Sequence, residues 1–249
     1  MTIDTFVVIP TYNEADNIRA LIAELLALPV PVGVIVVDDN SPDNTGSLVR
    51  QMQANDPDRI HLISRPGKLG LGTAYVAGFE LALGQLGAGR VLSMDADFSH
   101  LPGYIPAMLE LSRTTHIVIG SRYVPGGGTV HWPASRRLLS WGANTFARVL
   151  LGLNAHDTTA GFRLYQRQVL EVVPPRSIKS SGYSYLVEML FQCERMGFSV
   201  GEIPILFEDR RQGTSKISSR EIVRAILTVL RLSPRRMWRR PALRSVART

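Results

Sequence analysis

The chain has 249 residues, of which 45% are hydrophobic and 20% charged, usage that excludes a largely disordered or collagen-like protein. Lysine and arginine number 28 against 21 acids, giving a formal charge of +7, which points to a nucleic acid, a membrane surface or a phosphorylated substrate as partner. Six of those seven surplus charges are Arg235, Arg236, Arg239, Arg240, Arg244 and Arg248, so the excess is a tail and the rest of the chain carries only +1.

The first 120 residues alternate short β-branched runs with helical patterns, as in a wound α/β sheet. FVVIP (6–10) is a continuous apolar run of the kind found in strands covered on both faces. Asn13 then suits a helix N-cap, and Ile18, Leu21, Ile22, Leu25 and Leu26 predict a helix over 15–28, ended by Pro29 and Pro31. Further strands are expected at 32–39, 60–64, 90–97 and 116–123, with helices between them, the clearest at 72–83. VPGGGTVHWP (124–133) reads as a flexible loop rather than another strand, a place where function concentrates. A helix over 136–153 follows, with Leu139, Trp141, Phe146, Val149, Leu150 and Leu153 forming a broad apolar face for which core packing is the default expectation. Helix is expected again at 184–196, an extended segment at 198–207 and an amphipathic helix near 219–232. The single cysteine, Cys193, excludes an internal disulfide framework, suits a reducing compartment and is expected in the core. MTIDTFVVIP lacks the signal-peptide pattern. No run reaches the roughly 18 apolar residues of a membrane span, and AILTVLRL (225–232) is broken by Arg231. A cytoplasmic location follows as an expectation.

The most specific local pattern is SMDADFSH (93–100). If the strand continues through it, Asp95 and Asp97 project to one face, where two carboxylates repel unless a cation or hydrogen-bond donors compensate. A hard divalent ion shared with a substrate diphosphate is the natural compensation, and in open α/β sheets ligands lie at the carboxyl ends of strands. Taken alone, Asp97 and Ser99 serve equally well as a turn or a helix cap. They do not stand alone. VDDNSPDNTG (37–46) makes Asp38, Asp39 and Asp43 available to ribose hydroxyls or base edges, and PTYNE (10–14) ends the first strand. Three polar strand ends along one crevice favour a nucleotide site. RPGKLGLGTAY (65–75) is a glycine-rich loop opening a helix, able to offer backbone N–H groups and Lys68 to phosphate. It fits neither GxxxxGK[ST] nor GxGxxG, so a P-loop ATPase and a dinucleotide-binding dehydrogenase are not supported.

PTYNE, DDNSPD, GKLGLG, DAD followed by FSH, GSRY, WPASRRLLSWGAN, DTTAGFRLY and DRRQGTSK occur in the order and spacing of the polyprenyl-phosphate (dolichol-phosphate) mannosyltransferases of glycosyltransferase family 2. The chain resembles their short form, without appended transmembrane helices, over about residues 5–232. The resemblance implies a glycosyltransferase A-type fold, a wound, mostly parallel sheet flanked by helices. It implies one catalytic domain over 1–232, acceptor-side from about 124, and a basic tail over 233–249.

It also implies roles. Pro10, Tyr12, Glu14 and Asp39 resemble guanosine and ribose contacts, and Lys68, Arg210 and Lys216 resemble loop contacts to the donor diphosphate. Asp95 and Asp97 resemble metal-binding aspartates for Mg2+ or Mn2+, with Ser99 where some members have a glutamine ligand. Arg122, Arg136 and Ser140 resemble receivers of the lipid phosphate, and Asp157 an acceptor-loop aspartate. The implied reaction moves mannose from GDP-mannose to a polyprenyl or dolichyl phosphate in a single displacement with inversion. A membrane-borne acceptor implies peripheral attachment at the cytoplasmic face through the helices at 136–153 and 219–232 and the tail, with help from an integral-membrane partner. The alternative within the family is a polyprenyl-phosphate glucosyltransferase using a UDP-sugar. A noncatalytic nucleic-acid-binding protein is opposed by the aspartate-lined strand ends, which repel phosphates, and by the lack of an aromatic stripe.

Overall fold

The computed structural model describes residues 3–208 and 219–234. In chain order the elements are β1 (Thr5–Thr11), α1 (Ala15–Leu26), β2 (Val32–Asp38), α2 (Thr45–Asn55), β3 (Ile60–Ser64), α3 (Leu71–Gly84), β4 (Arg90–Ser93) and α4 (Ile105–Leu111). Then come β5 (Ile117–Ser121), β6 (Gly128–Val130), α5 (Ala134–Leu151), β7 (Arg163–Gln166), α6 (Arg167–Val172), α7 (Tyr183–Arg195), β8 (Val200–Pro204), β9 (Leu206–Glu208) and α8 (Ser219–Leu232). Seven strands form one sheet in the order β3-β2-β1-β4-β7-β5-β8, all parallel except β7, which runs antiparallel to both β4 and β5. β6 and β9 pair in parallel as a separate two-stranded sheet.

The apolar strand runs are explained by two cores, one on each face. Phe6, Val8, Ile35 and Val37 face Tyr75 and Phe79 of α3 and Leu186 and Leu190 of α7. Val7, Ile9, Val34 and Val36 face Ile18, Leu21, Ile22 and Leu25 of α1 and Ile105 and Met108 of α4. Successive residues of one strand thus enter opposite cores, each large side chain contributing about 1.5–3 kcal/mol by leaving water. α3 lies close on β1 because Gly78 has no side chain: a methyl there would collide with Val8. Cys193 is fully buried, as expected.

Four expectations change. Glu14, not Asn13, is the N-cap of α1. Asn13 instead takes a left-handed φ of 60° and donates its N–H to Ser41 Oγ at 3.0 Å. β4 stops at Ser93, so Asp95 and Asp97 lie in the turn beyond it rather than alternating on a strand. The 124–133 loop contains β6, whose partner β9 is 78 residues away and so invisible to local pattern. In α5 the expected core face is largely outside: Leu139, Trp141, Phe146 and Val149 are exposed, with Leu138 beside them. β7 itself had no predicted counterpart.

Candidate functional site

The carboxyl ends of β1, β2, β4 and β5 share one edge of the sheet, and because β7 is antiparallel the loop before it opens there too. Most of the candidate residues within the described chain collect along this edge.

At the ends of β1 and β2, Pro10 pairs in register with Val37, and Tyr12 carries the Lys68 ammonium 4.5 Å from its ring centroid. That cation–π contact folds the glycine-rich loop back toward the β1 end. Glu14 accepts from Asn17 Nδ2 at 3.1 Å and donates its backbone N–H to Thr45 Oγ1. Of the three acids in 37–46, two are engaged in holding their own loop. Asp38 accepts from Thr11 Oγ1 and from the backbone N–H and hydroxyl of Ser41. Asp43 accepts from Ala15 N, Thr45 N and Thr45 Oγ1, tying the starts of α1 and α2 together. Burial works to raise the Asp43 carboxyl, but these bonds outweigh it and hold it below its ordinary value. Asp39 pairs with Arg65, both nearly buried. Arg65 also donates to Thr73 Oγ1 at 2.7 Å and to Gly70 O at 3.3 Å, so one guanidinium braces the glycine-rich loop against the end of β2.

Beyond β4, the turn carries Asp95, with its side chain about one-third exposed, and the buried Asp97. Ser99 donates both its backbone N–H (3.1 Å) and its hydroxyl (2.5 Å) to Asp97 Oδ1, so its immediate role is to orient that carboxylate. Phe98 between them sits at φ 61°, a left-handed conformation that a bulky residue adopts only where the surroundings over-determine it. His100 is buried, stacks on Phe162 at 5.1 Å and meets Phe207 edge-on. Burial pushes its imidazole down to about 4, against the opposing charge of Asp97 and with help from Arg122. It is neutral at physiological pH.

The second half of the site is built on Arg122, just past β5. Its Nε and Nη2 donate to the two oxygens of Asp157 at 2.7 Å each, its backbone N–H donates to Asp157 Oδ2, and Nη2 also reaches Thr159 Oγ1. Burial acts to raise Asp157, but the Arg122 charge and hydrogen bonds prevail and keep the carboxylate ionised below its ordinary range. The guanidinium is raised in turn: burial opposes its charge, and Asp157 more than compensates. Aromatic rings of Tyr123, Trp132 and Phe207 surround Arg122 at 5.4–5.7 Å, and Arg136 at the start of α5 lies 4.0 Å over Trp132. Ser140 accepts from the Tyr123 hydroxyl at 2.7 Å.

Several residues around this edge were not singled out from the sequence: Arg65, His100, Asn144, Glu202 and Phe207. Asn144 Oδ1 receives both the N–H and the hydroxyl of Thr158. Glu202 of β8 receives the N–H groups of His156 and Asp157 and the His156 ring. Arg65, His100 and Asn144 stand inside the motifs RPGKLGLG, DADFSH and WPASRRLLSWGAN, which was the signal available; nothing local marks Glu202. Arg210 and Lys216 lie outside the described residues, as does the arginine tail.

A divalent cation fits the donor chemistry of the turn: the partly exposed Asp95 and the buried Asp97 supply hard carboxylate oxygens at a sheet edge. Among the described residues no group of three or more His, Cys, Asp or Glu side chains gathers to hold a metal, so such an ion would complete its shell with substrate and water oxygens.

α8 packs on α5 and α7. Thr228, Val229 and Leu232 face inward, and Arg231 donates to the buried Glu188 of α7 at 2.6 Å. Val223, Ile226, Leu227 and Leu230 face outward, as do Leu138, Leu139, Trp141, Phe146 and Val149 of α5. Among the described residues no helix is long and apolar enough to cross a membrane.

Residues 6–173 match the glycosyl transferase family 2 model. The chain is 42% identical over 226 residues to the polyprenol monophosphomannose synthase of Mycolicibacterium smegmatis, covering 90% of this chain and 85% of that one. It is 41% identical over 231 residues to the undecaprenyl-phosphate mannosyltransferase of Micrococcus luteus, covering 93% and 94%. A mannosyltransferase from Pyrobaculum calidifontis, solved in complex with GDP-Man and Mn2+, shares the fold at a TM-score of 0.62 and 17% identity, over 94% of this chain and 68% of that one.

Proposed function

The chain belongs to glycosyl transferase family 2, and from that premise we infer its activity: it transfers mannose to a polyprenyl monophosphate. One observation carries the reading at the level of the site. The carboxylate turn of Asp95 and Asp97 and the Arg122–Asp157 pair open on the same sheet edge, one suited to a nucleotide diphosphate and the other to a phosphate acceptor.

The proposed donor is GDP-mannose, with Pro10, Tyr12, Glu14 and Asp39 toward the nucleoside and Lys68, Arg210 and Lys216 toward the diphosphate. Asp95 and Asp97 would hold Mg2+ or Mn2+, with Ser99 fixing Asp97; when bound, that ion neutralises charge on the departing diphosphate. For the acceptor, Arg122 directs Nε and Nη2 at Asp157, so Nη1 is the atom it offers to an incoming phosphate oxygen. Arg136 and Ser140 lie on the same side.

A phosphate monoester has a second pKa near about 6, so the acceptor is largely dianionic at neutral pH and attacks without a protein base. One phosphate oxygen bonds to the anomeric carbon as the bond to the diphosphate breaks, with inversion, and the electron pair leaves with GDP. The protein's contribution is alignment and charge stabilisation.

Residues 1–232 are proposed as one catalytic domain and 233–249 as a basic appendage. The outward apolar faces of α5 and α8, interspersed with Arg137, Arg148 and Arg224, fit peripheral attachment to an anionic membrane surface. Assay of purified protein with GDP-mannose and, separately, UDP-glucose against a polyprenyl phosphate tests the reading. Turnover with GDP-mannose alone is expected, and turnover with UDP-glucose alone would replace it with the glucosyl alternative.

A further inference from the structure

The turn that carries Asp95 and Asp97 leaves the sheet after Ser93, and its path is unusual in one respect. The N–H of Asp95 donates to the ring of His100, five residues on, at 3.1 Å. A backbone amide is always a donor, so Nδ1 is the acceptor and the proton of the neutral ring is on Nε2. The ring cannot swing away, because it is buried, stacked on Phe162 at 5.1 Å with planes 12° apart, and closed off by Phe207 edge-on at 5.4 Å. It also borders the space into which Asp95 reaches. A side-chain carbon placed on Gly161 would lie 3.7 Å from both His100 Cε1 and Asp95 Oδ1. Between the two ends of this bond the chain passes through the left-handed Phe98 and the Ser99–Asp97 bonds.

We propose that His100 is a positioning residue for the cation-binding carboxylates: its Nδ1 clamps the Asp95 amide and closes the turn, setting the separation and direction of Asp95 and Asp97. The inference rests on the reading of these two aspartates as cation ligands. Groups that orient metal ligands commonly contribute 10–100-fold in metal affinity or activity, and the same scale is expected here.

The test separates the acceptor atom from the ring. His100→Phe keeps an aromatic plane against Phe162 and removes the acceptor. His100→Asn removes the ring and keeps an acceptor oxygen near the Nδ1 position. GDP binding is measured by calorimetry with and without saturating Mn2+ on the purified full-length chain, and the gain in GDP affinity produced by Mn2+ is the readout; melting temperature is recorded alongside. His100→Phe is expected to lose about tenfold or more of that gain, and His100→Asn to retain most of it while melting lower than His100→Phe. Cation coupling and stability would then rank in opposite orders, which a purely structural role does not produce. A wild-type gain in His100→Phe, or equal losses in both variants, overturns the proposal while leaving Asp95 and Asp97 as ligands. If the wild-type protein itself gains nothing from Mn2+, the cation reading fails and takes this one with it.

Discussion

Arg122 and Asp157 lie 35 residues apart in sequence and meet as a bidentate pair, Nε and Nη2 each 2.7 Å from a different carboxylate oxygen, with the Arg122 amide bonded to the same group. The carboxylate is fully buried and the guanidinium nearly so. Removing one partner strands the other charge where water cannot reach it, at a cost of about 3–5 kcal/mol. Asp157→Ala is therefore expected to lower the melting temperature sharply. Arg122→Lys keeps the charge but not the fork, and its loss should fall on transfer: about 100-fold in kcat for a misplaced acceptor, with milder thermal destabilisation. Melting curves and steady-state kinetics on both variants check this.

Asp97→Ala should abolish cation-dependent transfer while leaving the fold intact. The substitution deletes the acceptor of two Ser99 bonds, a cost of about 1–3 kcal/mol for the donors left behind, small beside the two apolar cores. Far-UV circular dichroism should be unchanged while turnover with Mn2+ drops by about 100-fold or more. Near-normal turnover would remove Asp97 from the cation site.

Arg65→Ala removes the brace between Asp39, Thr73 and Gly70. Because the freed loop carries Lys68 and borders the proposed nucleotide site, the KM for GDP-mannose should rise by about tenfold, worth roughly 1.4 kcal/mol, with the KM for the lipid phosphate unaffected. A change confined to the acceptor KM would contradict the assignment of this loop to the donor.

His100 makes stability depend on pH. Its folded value of about 4 lies below the roughly 6.5 of an unfolded histidine. Between these values the unfolded chain binds a proton that the folded chain refuses, so stability falls as pH drops from about 6.5 toward 4. The loss from this group is roughly 1 kcal/mol per pH unit. Denaturant unfolding at pH 7 and pH 5 should show the drop in the wild type and a shallower one in His100→Phe.

Trp141→Glu combined with Leu227→Glu places charges on the outward faces of α5 and α8. Each removes a large apolar group whose insertion is worth about 1.5–3 kcal/mol, so binding to anionic vesicles should weaken by more than tenfold. Turnover of a short, water-soluble prenyl phosphate should persist. Unchanged vesicle binding would locate attachment elsewhere, with the arginine tail the next segment to delete.

Local pattern carried the β1, β2 and β3 strands, because β1 and β2 are near-continuous apolar runs and β3 is a short isoleucine- and leucine-bearing run between turn residues. It also carried α1, whose apolar residues recur at helical spacing, and α3, an alanine- and leucine-rich run too long for a strand. It did not reveal β7 or the β6–β9 pair, since four- and three-residue strands owe their existence to distant partners. The apolar face of α5 was legible but its destination was not, because periodicity tells which residues share a side and not what covers it. The aspartates of 37–46 teach the same lesson in the site. Composition made Asp38, Asp39 and Asp43 equivalent, whereas the fold employs Asp38 and Asp43 as internal acceptors for loop amides and hydroxyls. The Arg122–Asp157 pair needed the fold, since its members come from opposite ends of the excursion between β5 and β7.

That excursion, residues 122–162, leaves the sheet at the top of β5 and returns at the top of β7. The two strands are hydrogen-bonded neighbours, so its ends are pinned about 5 Å apart whatever its length. Loop closure grows only logarithmically with length. The fold therefore holds the groups proposed for the acceptor on one contiguous excursion, anchored by β6 on β9 and by Leu151 in the core, whose length does not set the register of the strands beneath the proposed nucleotide site. Grafting that one contiguous stretch from a relative is the economical way to change the proposed acceptor side while keeping the proposed donor side.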